Sequence, residues 1–446
     1  MEFFAVIAKS STCAGVTARH MKSKPRLSAG TVRLTLGRCP MDHGGFAVAR
    51  SCWRASSRYS LRDLSQQNHV SKERAQALLR DLAHRLKGQT EFLSSTRAQV
   101  LGDERPVSQG SRGGGGGGVV RATNYNVSMN WKETVDKQMR LERVRKPVDK
   151  TFRDLLILHR DTYELTMRLL DPDSTFWDSF DTLSHVVTST MEQVRSRHAT
   201  TVETMADLVV TLRSAGVVEE EEEDVIEPWL RGRLGVQLLC DHYVTLDKYQ
   251  RSGVTPHCNI SEVIEEAVTE ATHLCDAHYQ ITPEVDLADQ GPQDQVSCTL
   301  VRPWVHHSLT EILKNAMAAT IDHHHRQATT PQATTTALPP IEIDIVEDDD
   351  SVRIVVRDKG MGLESGFDAF RFASSSVDKR WDRLEEQQSY AMVRSPLQSL
   401  GVGLPMSRWM MQHFGGNVDL VNNVDDQGCI ATLSLSRDDS LPEYFP

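Results

Sequence analysis

The apolar positions of this chain change rhythm part-way along. Ala75, Leu78, Leu79, Leu82 and Leu86 recur at helical spacing within residues 59–88, and from Thr151 the helical pattern becomes continuous. Phe176, Phe180, Leu183, Val187, Met191, Val194, His198, Val202, Met205, Leu208 and Leu212 step by three or four. That spacing predicts one long helix, or two nearly collinear ones, packed in a bundle, with His198 a satisfied core-edge histidine rather than a ligand. Gly216 ends this run, the acidic stretch 219–224 reads as a solvated loop or helix start, and another helix is expected from about Trp229 to Tyr249. After Val254 the pattern turns mixed. A helix opens with Asn259 or Ser261 as its cap, and residues 341–358 alternate on both sides of an acidic turn as a β-hairpin. "GLPMSRWMMQHFGG" is a helix closed by glycines, and "CIATLSLS" a last strand. Helices followed by mixed helices and strands predict the α+β class: a four-helix-bundle-like N-terminal domain, then an α/β sandwich.

Composition adds domain limits. A chain of 446 residues, 39% hydrophobic and 25% charged, is an ordinary globular sequence large enough for two or three domains. The pattern divides it into a start at 1–58, a bundle at 59–253, an α/β domain at 254–438 and a tail at 439–446. The glycine run at 110–118 and "RQATTPQATTTALPP" (326–340) read as surface insertions. No apolar run reaches 18 residues, so no membrane span is expected. The cysteines at 13, 39, 52, 240, 258, 275, 298 and 429 form no C-x-x-C pair, which argues against a disulfide framework or zinc site and fits a reducing compartment.

The net charge of −11 hides an asymmetry. Residues 1–60 carry ten Lys/Arg and two acidic residues, a balance of +8, so the other 386 residues carry −19. A basic, Ser-rich, acid-poor start predicts a mitochondrial transit segment, with a disordered basic tail as the plain alternative. The acidic body argues against nucleic acid as a partner.

Three pieces of candidate chemistry stand in the second half. In "HHSLTEILKNAMAAT", a helix expected over 306–322, His307, Glu311 and Asn315 recur every fourth residue and share one face. An Asn carbonyl oxygen suits Mg²⁺, a hard cation that takes few protein oxygens besides phosphates. In "DKGMGL", Asp358 at a strand end is placed to accept from an exocyclic amine, while Gly360 and Gly362 let the backbone approach a flat base. In "SLGVGLPMSR", Gly401 and Gly403 precede a helix whose free N–H groups suit phosphates. Residues 364–400 between them leave room for a lid. Two lookalikes are set aside. "HRD" at His159–Asp161 imitates a protein-kinase catalytic loop, but Thr166 stands where Asn belongs and no D-F-G follows. "DHHHR" (322–326) reads as a solvated helix end, because three adjacent His cannot face one ion from a helix.

Each piece alone is weak, but the order of the three resembles the GHKL ATP-binding fold, whose boxes are E-x-x-x-N, D-x-G-x-G and G-x-G-L. It is shared by DNA gyrase, sensor histidine kinases and mitochondrial dehydrogenase kinases. The likeness narrows to the mitochondrial 2-oxoacid dehydrogenase kinases through "RSRHATTVETMADLV" (195–209), "RLGVQLL" (233–239), "NISEVIEEAVTEATHLCDAHY" and "GLPMSRWMMQHFGG", and covers roughly residues 59–436. The resemblance implies a matrix serine kinase that phosphorylates and inactivates a pyruvate or branched-chain dehydrogenase with Mg-ATP. Its implied partners are the dehydrogenase substrate subunit, the lipoyl-bearing acyltransferase core and a second copy in a homodimer. Glu311 would be the general base with His307 assisting, and Asn315 the Mg²⁺ ligand. ATP would meet Glu311, Lys314, Asn315, Asp358, Gly360, Gly362, Ser375, Ser376, Gly401, Val402, Gly403 and Leu404. The sequence departs from the family at Ala318 (Arg there), Cys429 (Thr there) and Tyr243 (usually His, here preceded by His242), and its tail lacks an Asp-Trp ending. Two alternatives stay open: a sensor-type histidine kinase, and a nucleotide-binding regulator without transfer activity.

Overall fold

A computed structural model describes residues 58–101, 131–171, 175–216, 222–287, 296–327, 337–374 and 401–444. The basic start, the glycine run, most of the Thr/Pro-rich stretch, and Ser375 and Ser376 lie outside the described residues.

The first helices are α1 (Leu61–Ser65), α2 (Lys72–Leu101), α3 (Trp131–Leu169), α4 (Phe180–Arg197), α5 (Thr201–Ser214) and α6 (Glu222–Tyr249). Ser60 and Asp63 cap α1 reciprocally, each side chain taking the other's backbone N–H at 2.9–3.0 Å. α2 packs on α3 and α6, α4 on α6, and α3 on α5, so the apolar stripes read from the sequence face one another. The stripe from 176 to 212 resolves into two helices, preceded by a 3₁₀ turn at Thr175–Ser179. At the break, Arg233 donates to Thr201 Oγ1 (2.5 Å) and to the His198 carbonyl. His198 is buried there, with Nε2 3.1 Å from Thr162 Oγ1 and Nδ1 unpartnered, so this histidine is only half satisfied. His159 of the rejected "HRD" sits buried mid-helix in α3.

The α/β part holds β1 (Thr255–Asn259), α7 (Ile260–Tyr279), β2 (Val285–Leu287), β3 (Ser297–Leu300), α8 (Arg302–Gln327), β4 (Ile341–Glu347), β5 (Ser351–Arg357), α9 (Gly403–Gln412), β6 (Asn417–Asn422) and β7 (Cys429–Ser436). β1 and β3 form a two-stranded ribbon; the main sheet runs β2-β4-β5-β7-β6, with β2–β4 parallel and the other pairs antiparallel. The expected hairpin is β4–β5. β4, β5 and β7 bury alternate residues, including Ile341, Ile343, Ile354, Val356, Ala431 and Leu433, on the face that receives α8. Asn259 is the cap of α7, accepting from Ser261 N at 3.1 Å. One continuous apolar core runs from Phe92, Phe152, Val202 and Trp229 in the helices to the sheet, and a second, around Leu78, Leu82, Val187 and Tyr243, stays among the helices.

The tail returns to the first helix. Glu443 N donates to the Tyr59 carbonyl (2.7 Å), and its carboxylate takes two guanidinium bonds from Arg85 of α2 and one from His413 Nε2 at 3.0 Å. Arg85, His413 and Glu443 are all fully buried. Beside them Arg231 of α6 lies 4.1 Å over the Tyr444 ring.

Candidate active site

α8 brings the acid, base and amide together. Leu309, Ile312, Leu313, Met317 and Ile321 are buried, each contributing roughly 1.5–3 kcal/mol, and this anchoring fixes the opposite face. On that face Glu311 and Lys314 form a largely buried ion pair at 2.5 Å, while Asn315 is exposed. Burial alone would raise the Glu311 carboxyl, but the Lys314 ammonium and His307 outweigh it and hold the pKa below its ordinary value. His307 is pushed down to about 4, chiefly by burial, against the pull of Glu311; its imidazole is neutral at pH 7.

The glycine segment meets this helix directly. Gly403 opens α9, and a Cβ there would overlap Glu311 Oε2, so only glycine lets the carboxylate lie against the helix N-terminus. Gly401 has φ +70° and touches the Ser374 backbone, where a side chain would collide with the carbonyl. Val402 and Leu404 turn their side chains onto the apolar core, leaving only their backbone for a ligand.

Asp358 follows directly on β5 at 6% exposure. Its Oδ1 accepts from Gly360 N (2.8 Å) and Cys429 N (3.1 Å), which leaves Oδ2 for an outside donor. Burial raises its pKa, moderated by those two amides and by Lys359. A Cβ at Gly360 would stand 2.8 Å from Ala319 Cβ, so this loop rests on α8. Gly362 (φ +79°) lies against Asn422, whose side chain exchanges bonds with the Leu363 backbone. The structure thus brings His307, Glu311, Lys314, Gly401 and Gly403 into one group and Asp358, Gly360 and Gly362 into another, with α8 shared between them.

Sequence reasoning missed four supports. Asn422 belongs to no motif. Arg213 of α5 donates to the Phe372 (2.6 Å) and Ala373 (2.8 Å) carbonyls, holding a turn where Ala373 takes φ +52°. Phe372 stacks on Trp409 at 5.8 Å, and Arg408 covers Phe370. Of the departures, Cys429 keeps a buried thiol 3.7 Å from Asn422 Oδ1, pushed up to about 11 mainly by burial. Tyr243 buries a hydroxyl that has no partner. His323 at the end of α8 meets Gln427, and no group of three metal-ligating side chains occurs among the described residues.

A family model described as mitochondrial branched-chain alpha-ketoacid dehydrogenase kinase matches residues 125–267. The human mitochondrial pyruvate dehydrogenase (acetyl-transferring) kinase isozyme 1 is 26% identical over 280 residues, covering 58% of this chain and 61% of its own. The human isozyme 4 is 25% identical over 245 residues, covering 52% and 56%. Over these residues the chain is similar to mitochondrial 2-oxoacid dehydrogenase kinases. It thus spans about three-fifths of the length of the dehydrogenase kinases it matches. A mycobacterial sensor histidine kinase, MprB, overlaps 40% of this chain and 97% of that chain at 13% identity with a TM-score of 0.28, too loose a superposition to bear on the fold. Among the described residues, no helix is long and apolar enough to cross a membrane.

Proposed function

We propose that this protein is a mitochondrial matrix serine kinase of the dehydrogenase kinase family that uses Mg-ATP to phosphorylate a 2-oxoacid dehydrogenase, with its α/β part acting as a GHKL-type nucleotide domain. The observation that carries the reading is the seat of Glu311: its carboxylate lies against Gly403 at the start of α9, one turn from an exposed Asn315. Asp358 Oδ2 supplies the acceptor for the adenine amine, and the amides from Gly401 to Leu404 face the phosphates. The donor set suits magnesium, since Asn315 offers one neutral oxygen and phosphates supply others; the ion would neutralise charge on the transferred group.

Glu311 is ionised at neutral pH and able to take a proton from a serine hydroxyl. Paired with Lys314 it is a weak base, because general bases work best with a pKa near the working pH. Lys314 turning away toward phosphate oxygens would raise that basicity as ATP binds. His307, one turn before Glu311 and neutral at pH 7, does not compete for the proton.

The reading includes a homodimer and contacts with the dehydrogenase substrate subunit and a lipoyl-bearing acyltransferase core, the family's partners. The sensor-type alternative requires a free phosphoacceptor imidazole. His242 is fully buried, with Nε2 3.0 Å from Gln67 Oε1 and Nδ1 accepting from Gly253 N, so it does not fit that role. The deciding experiment offers purified pyruvate and branched-chain dehydrogenases with labelled ATP. Glu311→Gln is expected to bind nucleotide but transfer phosphate ~10²-fold more slowly or worse, and Asn315→Ala to lose Mg-ATP binding and turnover together. Full transfer by Glu311→Gln would remove the general-base role; binding without transfer in the unmodified chain would leave a nucleotide-binding regulator.

A further inference from the structure

Away from the nucleotide site, two cysteines face each other across the β1–β3 ribbon. The strands pair antiparallel, with Cys258 opposite Cys298 and Asn259 opposite Ser297. Directly opposed residues of such a pair share a face, with Cα atoms about 4.5–5.5 Å apart. A disulfide spans Cα separations of about 4.4–6.8 Å, so the register alone meets its first requirement. Both are free thiols and both are buried.

The two sulfurs are not equivalent. Each thiol can donate to the next residue's carbonyl at 3.8 Å, but Cys258 Sγ also accepts from Arg302 Nη1 at 3.4 Å, which favours its thiolate, whereas Cys298 donates again, to the Ser436 carbonyl at 3.4 Å. Burial pushes both thiols up; Arg302 draws Cys258, and Arg437 draws Cys298, part of the way back. The ladder is also broken beside Cys258: the register shifts between Thr255 and Cys258, His257 stands at φ +48°, and Pro256 and His257 are exposed. Opening of that bulge would admit a small oxidant.

We propose that Cys258 and Cys298 form a peroxide-sensitive dithiol that closes to an intrachain disulfide. The Cys258 thiolate attacks one oxygen of hydrogen peroxide, breaking the O–O bond to give a sulfenic acid and hydroxide. The Cys298 sulfur then attacks the sulfenic sulfur; the S–S bond forms, the S–O bond breaks, and the oxygen leaves as water with the Cys298 proton. Two thiols lose two electrons and two protons, and peroxide becomes two waters. Closure takes the sulfur acceptor from Arg302, the first residue of α8, which keeps Glu266 at 2.7 Å. It also staples together the strands that lead into α7 and α8. The proposal does not depend on the nucleotide reading.

The test uses the full chain, reduced, freed of reductant, exposed to hydrogen peroxide, blocked with N-ethylmaleimide and digested without reduction. Mass analysis should find the Cys258 and Cys298 peptides joined, two hydrogens lighter than their sum, within one chain and separable by dithiothreitol. Cys298→Ser should accumulate a dimedone-reactive sulfenic acid at Cys258, and Cys258→Ser should leave Cys298 alkylatable. Recovery of both as N-ethylmaleimide adducts after unfolding, or a bond from either to another cysteine or a second chain, overturns the proposal. If a variant fails to fold, the map of the unmodified chain decides alone.

Discussion

Glu311, Asn315 and Asp358 stood out in the sequence because a polar residue on an otherwise apolar stripe, or an acid at a strand end between glycines, conflicts with simple burial. Their supports did not stand out. The resemblance puts Lys314 at ATP, but nothing in the sequence shows its second duty: from 2.5 Å its ammonium holds the Glu311 pKa down. Gly403 reads as a phosphate glycine, and the structure gives it a second duty as the floor beneath Glu311 Oε2. Gly403→Ala should therefore harm chemistry as well as binding. Its methyl displaces the carboxylate, and because ~1 Å misplacements can cost ~10²-fold, turnover at saturating ATP should fall ~10-fold or more. Unchanged turnover with only a higher KM for ATP would show that Gly403 serves the phosphates alone. Asn422 had no signal at all, since the role of its amide is set by a loop about 60 residues distant in sequence.

Long elements with strong periodicity were readable, and short polar ones were not. α7, the β4–β5 hairpin, α9 and β7 lie where the pattern put them, because each buries one clean face. β1, β2 and β3, with sequences "TPHCN", "VDL" and "SCTL", are too short to show a period, and their pairing is decided by partners. β6 was missed for a related reason: an edge strand with one buried residue, Val418, has little alternation to read. α6 begins at Glu222 inside the acidic run, not near Trp229, since apolar spacing marks where a helix is buried rather than where it starts. At this scale α5 matters through Arg213, which fixes the 372–373 turn that leans on Gly401. Arg213→Ala should raise the Kd for ATP about tenfold, near 1.4 kcal/mol, and leave turnover at saturating ATP unchanged. Arg213→Lys should recover only part, because an ammonium cannot fork across two carbonyls. Isothermal titration with Mg-ATP separates these outcomes; an unaltered Kd in Arg213→Ala would detach α5 from the site.

For the molecule as a whole, the buried Arg85–Glu443–His413 contact joins the helices to the sheet. Burial would raise Glu443, but Arg85 and His413 hold it at about 2, below its ordinary 4.5. A carboxylate with a depressed folded pKa contributes stability above about 4.5, lost as pH falls toward about 2. Burial lowers His413, opposed by Glu443 and reinforced by Arg85 and Arg231, and burial holds His159, His242 and His307 at about 4. These histidines stay neutral in the fold while the unfolded chain takes up protons, so their contribution begins to fade below about 6.5. Melting temperature should be level above pH ~7, slope down from 6.5 toward 4, and drop again below 4.5. Glu443→Gln should lower stability by about 3–5 kcal/mol, because Arg85 is left buried without an anion, and should shrink the lower limb of the profile, to which Glu311 also contributes. A variant that keeps both limbs in full would place the acid sensitivity elsewhere. The same contact also sets an order of assembly during synthesis. Arg85 leaves the ribosome 358 residues ahead of Glu443. Until that carboxylate emerges, sealing α2 would strand a lone guanidinium away from water, at a cost no early helix contact offsets. α2, made early, is thus closed in only after Glu443 has been translated.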